Sequence, residues 1–232
     1  MVGNMTVLID ADSLVYSVPY GCADVEEVKE KFDTVIKFIV NQISETYELD
    51  RIIVYHGATG VNFRKEITDT YKANRKRDKP DFYYDLSNYV KFAYDAISAK
   101  DEEVDDLIAR DWAFCVMQEQ PVCIVSIDKD YRQLKDCLIY NYGKGKDGET
   151  KGWEYISPYG GDYNFYTQMI VGDPADNIKG VEGKGVKYAE KLLGDATTTF
   201  SLFLRVYTTY LLKYGIDARK LFRMNYRLLK IG

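Results

Sequence analysis

The chain has 232 residues, 46% apolar and 29% charged, enough for one sizeable domain, or a domain with a small appendage, around a full hydrophobic core. Its 31 Lys and Arg against 36 Asp and Glu leave a formal net charge of −5, which taken alone argues against a polyanionic partner. The single histidine, His56, excludes a zinc site built on several histidines and confines any Ser–His or Cys–His chemistry to one residue, so chemistry is expected to run on carboxylates.

In chain order, residues 6–9 (TVLI) read as a short buried strand running into Asp10-Ala11-Asp12. From 24 to 49, Val25, Val28, Phe32, Ile36, Ile39 and Ile43 recur at helical spacing, and Asp24 with Glu27 forms a capping pair at the start. Residues 52–55 and 122–127 (VCIVSI) are two further buried strands, and the spacing predicts helices over 82–98 and 104–118. Segments 138–142 and 153–156 flank a polar, glycine-rich stretch that reads as a hairpin loop. Past about residue 160 the strand signals stop and helical, basic sequence continues. Strands separated by helices of this length imply an α/β fold with a mainly parallel central sheet.

Cys22, Cys115, Cys123 and Cys137 have no C-x-x-C spacing and read as free thiols of a reducing compartment. No apolar run reaches the roughly 18–20 residues that span a bilayer, and no signal segment is evident, so a cytoplasmic protein without membrane contact is expected.

Ligands of such sheets bind beyond the carboxyl ends of the strands. Asp10 and Asp12 follow the first strand there, and Asp128 and Asp130 follow the third. Glu103, Asp105 and Asp106 open the 104–118 helix, with Glu103 and Asp106 on one face. Carboxylates this close repel unless cations lie between them, and an all-oxygen donor set points to Mg²⁺ or Mn²⁺. Two such ions about 4 Å apart suit phosphodiester hydrolysis.

Residues 64–79 hold seven basic side chains (Arg64, Lys65, Lys72, Arg75, Lys76, Arg77, Lys79) against three acids, beside Tyr71, Phe82, Tyr83 and Tyr84. Basic and aromatic groups together suit single-stranded nucleic acid. Further on, a Gly183-Lys184-Gly185 turn opens a helix, where exposed N–H groups can hold a phosphate, and Lys187 adds a charge.

Six motifs in order then resemble the structure-specific 5′ nucleases: flap endonucleases, 5′→3′ exonucleases and the 5′-nuclease domains of bacterial DNA polymerases. They are Ile9-Asp10-Ala11-Asp12, Asn62-Phe63-Arg64, Tyr71-Lys72-Ala73-Asn74-Arg75, Glu103-Val104-Asp105-Asp106, Ser126-Ile127-Asp128-Lys129-Asp130, and the block 172–187 with its Gly-Asp-x-x-Asp-Asn-Ile-x-Gly-Val-x-Gly-x-Gly pattern. The chain looks most like the bacteriophage exonucleases of that family, which would place it in a host cytoplasm.

The resemblance implies a PIN-like nuclease core over 1–160, carrying a helical arch at about 64–98, and a helix-hairpin-helix (H3TH) region over 161–232. It implies that Asp10, Glu103, Asp105 and Asp106 surround a first metal, Asp128 lies between the two, and Asp130, Asp173 and Asp176 surround a second. Lys72 and Arg75 would contact the scissile phosphate, Tyr71 would stack on the terminal base, and Lys76 would add a DNA contact. The Gly183, Lys184, Gly185, Lys187 hairpin would grip duplex backbone, with K⁺ among its carbonyls.

The expected substrate is DNA with a duplex part and a free or branched 5′ end. Expected cofactors are two Mg²⁺ ions, replaceable by Mn²⁺. The protein is read as a monomer, with replication proteins as candidate partners. Alternatives are a PIN-type ribonuclease, an RNA-primer-removing nuclease acting on RNA–DNA hybrids, and a branched-DNA-binding module with a decayed metal site.

One position departs from the family pattern. Many members carry an aspartate after the second strand, where this chain has His56-Gly57-Ala58-Thr59. Two roles are open to the imidazole, in a metal's outer sphere or as a hydrogen-bonding partner of a neighbour. Setting aside the eight acidic site candidates leaves the rest of the chain at +3. From Arg205 onward, Arg205, Lys213, Arg219, Lys220, Arg223, Arg227 and Lys230 face one acid, Asp217.

Overall fold

A computed structural model describes residues 4–75 and 78–232. In chain order the elements are β1 (Met5–Asp10), α1 (Asp12–Ser17), α2 (Val25–Ser44), β2 (Leu49–Thr59), α3 (Phe63–Ile67), α4 (Tyr83–Ala93), β3 (Ile97–Lys100), α5 (Val104–Met117), β4 (Val122–Val125), β5 (Cys137–Lys144), β6 (Thr150–Ile156), α6 (Pro158–Val171), β7 (Gly172–Asp173), β8 (Ile178–Lys179), α7 (Val186–Leu193), α8 (Thr199–Tyr214) and α9 (Ala218–Leu229).

β1–β6 form one sheet in the order β3-β2-β1-β4-β5-β6, parallel except for the β5–β6 hairpin. Side chains alternate across it. Val7 and Ile9 of β1, with Cys123 and Val125 of β4, pack under α2 through Phe32, Ile36 and Ile39. Leu8 and Ile124 face the other way, onto Ile108 and Trp112 of α5. Chain order reverses between β1 and β4, so the topological switch point lies at the ends carrying Asp10 and Asp128. A second core joins α6–α9 through Phe165, Met169, Leu202, Val206, Tyr210 and Phe222.

Three expectations are corrected. The helix read over 82–98 stops at Ala93, because Asp95 takes a left-handed backbone (φ 48°), and residues 97–100 add edge strand β3 beside β2. α4 does not project as part of an arch, since Leu86 and Val90 are fully buried on the α2 face of the sheet. Strand structure also persists past 160, in the two-residue ladder β7–β8.

That ladder explains two glycines of the 172–187 block. A Cβ on Gly172 (φ +77°) would lie 2.3 Å from Gly180 N, and one on Gly180 would lie 2.2 Å from Ile170 O. Only glycine allows this approach, and it holds Asp173 and Asp176 over the sheet ends. The four cysteines are free thiols, and Cys115, Cys123 and Cys137 are buried. No helix among the described residues is long and apolar enough to cross a membrane.

Candidate active site

Asp10 ends β1 at 7% exposure. One of its oxygens accepts from Asp12 N (3.1 Å), the other from Ser126 Oγ and Tyr131 Oη (both 3.1 Å). Burial, with the charges of Asp12 and Asp128, pushes its carboxyl up to about 7. Asp12 opens α1 and accepts at one oxygen from Gly57 N (2.8 Å) and His56 Nδ1 (2.7 Å). Burial would raise the Asp12 carboxyl, but the bond and charge of His56 outweigh it and hold the group below its ordinary value. His56 itself is 1% exposed, and its Nε2 lies 2.7 Å from Ser87 Oγ. An ionised carboxylate only accepts, so Nδ1 carries the proton.

α5 delivers its three acids to different places. Glu103 accepts from Tyr71 Oη (2.7 Å) and from Lys72 Nζ. Asp105 is pushed well above the carboxylate range by burial and by Glu103 and Asp106. Asp106 turns away from the cleft, so its expected role as a metal ligand is corrected. Both of its oxygens are taken by the guanidinium of Arg64, and it also accepts from Glu103 N (3.2 Å) and Gly232 N (3.3 Å). A carboxylate so saturated has no lone pair aimed at the cleft.

Arg64 is 1% exposed and also donates to Leu228 O (2.9 Å) and Lys230 O (2.8 Å). It is therefore no part of a nucleic-acid-facing run. It ties α3, α5 and the segment after α9 together.

Asp128 follows β4 and is exposed, accepting from Asp130 N at 2.9 Å. Asp130 accepts from Gln168 Nε2 (2.6 Å), and burial with the charge of Asp128 pushes it up to about 6. Asp173 pairs with Lys129 Nζ at 2.8 Å and Asp176 with Arg75 Nη2 at 2.5 Å. Oxygens of Asp130, Asp173 and Asp176 lie within 4.8 Å of one another. These three, with Glu103 and Asp105, line one small cavity of about 10 Å³, close to the room one water or small ion takes.

The donor set fits hard divalent cations. It is all oxygen, burial and neighbouring carboxylates push Asp10, Asp105 and Asp130 toward protonation, and the only Lys or Arg side chains paired with it among the described residues are Arg64, Lys72, Arg75 and Lys129.

The segment 68–75 lies along 174–177 and presents its cations to this cluster. Lys72 takes a left-handed backbone (φ 56°), and its N–H donates to Asp176 O at 2.9 Å. Asn74 Nδ2 bonds Pro174 O, and Asn177 Nδ2 bonds Thr70 O, both at 2.8 Å. Tyr71 departs from its expected stacking role. Its ring is 3% exposed in the α6–α9 core, and its hydroxyl reaches Glu103 and, at 3.1 Å, Asp176, so neither face is free for a base. Lys76, expected to contact DNA, lies outside the described residues, as does Arg77.

The 181–185 turn leaves Gly183 and Gly185 exposed ahead of α7, with Lys184 N bonded to Val181 O (2.9 Å) and Lys184 Nζ 4.1 Å above the Tyr188 ring. Lys187 is exposed in the first turn of α7.

Sequence reasoning passed over Arg64 as a buried anchor, Lys129 as the partner of Asp173, and the Asp12–His56 bond. The Asn62-Phe63-Arg64 and Asp128-Lys129-Asp130 motifs held the signal for the first two.

Known proteins resemble this chain in sequence and in fold. Among curated sequences, the chain is 32% identical over 145 residues to DNA polymerase I of Rhizobium leguminosarum, covering 59% of this chain and 14% of the polymerase. It is 27% identical over 192 residues to a 5′-3′ exonuclease of Mycoplasmopsis pulmonis, 78% of this chain and 61% of that protein. To the flap endonuclease Xni of Vibrio cholerae it is 29% identical over 203 residues, covering 81% and 75%. The chain thus spans less than two thirds of the first two relatives.

Among solved structures, the bacteriophage T5 flap endonuclease bound to DNA and metal ions superposes with a TM-score of 0.73 at 17% identity, covering 97% of this chain and 89% of that one. The catalytic core of Rad2 with DNA substrate gives 0.56 at 12%, covering 100% and 75%. At these identities the likeness is one of fold. The family model for the 5′-3′ exonuclease N-terminal resolvase-like domain matches residues 5–156, and the chain belongs to that family.

Proposed function

We propose that the protein is a divalent-metal-dependent 5′ nuclease that hydrolyses DNA phosphodiesters at 5′ ends or branches, on DNA combining a duplex with a free or single-stranded 5′ end. The observation that carries this reading is the convergence of Asp10, Glu103, Asp105 and Asp128 with the Asp130–Asp173–Asp176 cluster opposite Lys72 and Arg75, at the switch point of the sheet. Asp10, Glu103, Asp105 and Asp128 would hold one Mg²⁺ or Mn²⁺, and Asp128, Asp130, Asp173 and Asp176 a second. Such a pair lowers the pKa of an attacking water and offsets charge on phosphate oxygens.

The chain's own groups supply the rest. Lys72 and Arg75 reach the carboxylates from the cleft side and serve as the cations that bind and orient the scissile phosphate. Tyr71 and Arg64 position Glu103 and α5. The exposed Gly183 and Gly185, with the side chains of Lys184 and Lys187, suit the phosphates of the flanking duplex, with K⁺ proposed at the carbonyls of this turn. We place the catalytic core at about 1–160 and the duplex-gripping helices at about 161–232, in line with the separate α6–α9 core. Free thiols accord with work in a reducing cytoplasm.

The test is cleavage of one 5′-labelled flap and one 5′-labelled blunt duplex in Mg²⁺ or Mn²⁺, with products ending in 3′-hydroxyl and 5′-phosphate. Failure to cut either DNA overturns the reading.

A further inference from the structure

α9 has two faces. Ala218, Phe222, Asn225, Leu228 and Leu229 are buried, whereas Arg219, Lys220, Arg223 and Arg227 are exposed. These four cations, with Ile216, Met224 and the α3 residues Glu66 and Ile67, line a groove of about 680 Å³. None of the four takes part in an ion pair or hydrogen bond among the described residues, in contrast to Arg64, Arg75, Arg132 and Arg205, each tied to a carboxylate.

Arg219, Arg223 and Arg227 recur every four residues, so they follow one another along the helix at steps of about 6 Å. That step is comparable to the separation of neighbouring phosphates along a nucleic-acid strand. Guanidinium forks suit phosphate oxygens, and Ile67, Ile216 and Met224 offer apolar surface to sugars.

The groove and the carboxylate cavity share no lining residue, but both are built on α3 and α9. Leu228 and Leu229, at the end of α9, line the small cavity shared with Asp105, Asp130, Asp173 and Asp176, and Leu228 O is bonded to Arg64. The other wall is α3, whose chain continues directly into the segment that carries Lys72 and Arg75. Cations strung along successive turns of one helix suit an extended polyanion rather than a lone phosphate.

We propose that the groove between α3 and α9 is a second phosphodiester-binding track, in which Arg219, Lys220, Arg223 and Arg227 hold the backbone of DNA whose scissile bond lies at the carboxylate cluster. The proposal rests on the nuclease reading and adds a contact surface distinct from Lys72, Arg75 and the 183–187 turn.

It is tested by fluorescence anisotropy of a 5′-flap DNA in EDTA, across a range of salt concentrations, for the wild type and for the triple variant Arg219→Gln, Arg223→Gln, Arg227→Gln. Glutamine is a good helix former, so the exposed face should stay helical, which far-UV circular dichroism checks. The expected result is a fall of about 2–3 in the slope of log affinity against log salt and at least a tenfold loss of affinity near 0.1 M salt. In Mg²⁺ the loss should appear in KM rather than in kcat. The single variant Arg223→Glu, which changes one exposed side chain, should weaken binding more than Arg223→Gln.

If the wild type binds and cuts DNA while the triple variant and Arg223→Glu keep the wild-type slope and affinity, the groove proposal is overturned and the nuclease reading stands. If the wild type neither binds nor cuts, both fall together.

Discussion

His56 Nδ1 lies 2.7 Å from Asp12 Oδ1, and Gly57 N meets the same oxygen at 2.8 Å, so one oxygen of Asp12 is fixed by the end of β2 while its carboxylate charge bears on Asp10. The strand lacks an acid of its own there, and a carboxylate from α1 is held against its end instead. His56→Ala would remove one of those donors and strand Ser87 in a buried gap. We expect the thermal midpoint to fall by an amount equivalent to about 2–4 kcal/mol, and half-saturation of cleavage to need more Mg²⁺. An unchanged rate across Mg²⁺ concentrations would remove His56 from the mechanism.

Asp128 and Asp106 should separate chemistry from architecture. Asp128 is exposed and meets no cation among the described residues, so Asp128→Asn should leave folding nearly intact. Cutting should be abolished while DNA binding persists or strengthens, because the amide removes both a ligand and a repulsive charge. Near-wild-type cleavage by this variant would refute the two-metal assignment. Asp106→Ala leaves the Arg64 guanidinium buried without its carboxylate, and breaking such a pair costs about 3–5 kcal/mol. Chemical denaturation of the two variants reads the contrast.

Tyr71 distinguishes positioning from stacking. Phenylalanine keeps the ring in its apolar surroundings but deletes the bonds to Glu103 and Asp176. Tyr71→Phe should therefore lower kcat by roughly tenfold with little change in DNA affinity, since one charge-assisted hydrogen bond is worth about 1.5–3 kcal/mol. A base-stacking residue would tolerate this change. Full activity in Tyr71→Phe would count against the positioning role.

Acid should stabilise the metal-free protein at first. Asp10 is pushed up to about 7 and Asp130 to about 6 in the folded state, against 3.8 for the free side chain. Between about pH 4 and 7 the folded form binds more protons than the unfolded one, so stability falls as pH rises through this window. The thermal midpoint in EDTA should accordingly rise from pH 8 to pH 5.5. Asp12, held low by His56, acts in the opposite sense and only at more acidic pH. Saturating Mg²⁺ should flatten the profile, because a bound cation replaces the missing proton. Differential scanning fluorimetry over that range checks the sign.

Much of this arrangement was legible in the chain. The short apolar runs TVLI and VCIVSI marked two buried strands, and acids directly after them fall at a switch point whatever the loops do. The positions of Asp173 and Asp176 came from a motif whose glycines permit one close backbone crossing.

What local pattern could not show was set by partners far away in sequence. Glu103 and Asp106 share a helical face by spacing, yet Arg64, 42 residues before Asp106, claims Asp106 and leaves Glu103 to the cleft. Tyr71 sits in a basic, aromatic run that reads as nucleic-acid surface, but its ring falls into a core built by residues beyond 160. β3 was hidden because four edge residues, of which only Ala99 is buried, carry too little pattern to mark a strand.

The stitching of 68–75 onto 174–177 bears on how the protein reaches its working form. Lys72 N to Asp176 O, Asn74 to Pro174 and Asn177 to Thr70 all join positions about a hundred residues apart. Contacts of such sequence separation are slow to close, because the intervening chain must lose its freedom before they form. The α6–α9 core can condense from nearer neighbours, whereas β1 meets β4 across a span as long as that of the seam, Thr6 pairing with Val122. A refolding chain would then acquire its helical core before its chemistry, and protection of the Lys72 amide from hydrogen exchange would mark the moment it becomes competent.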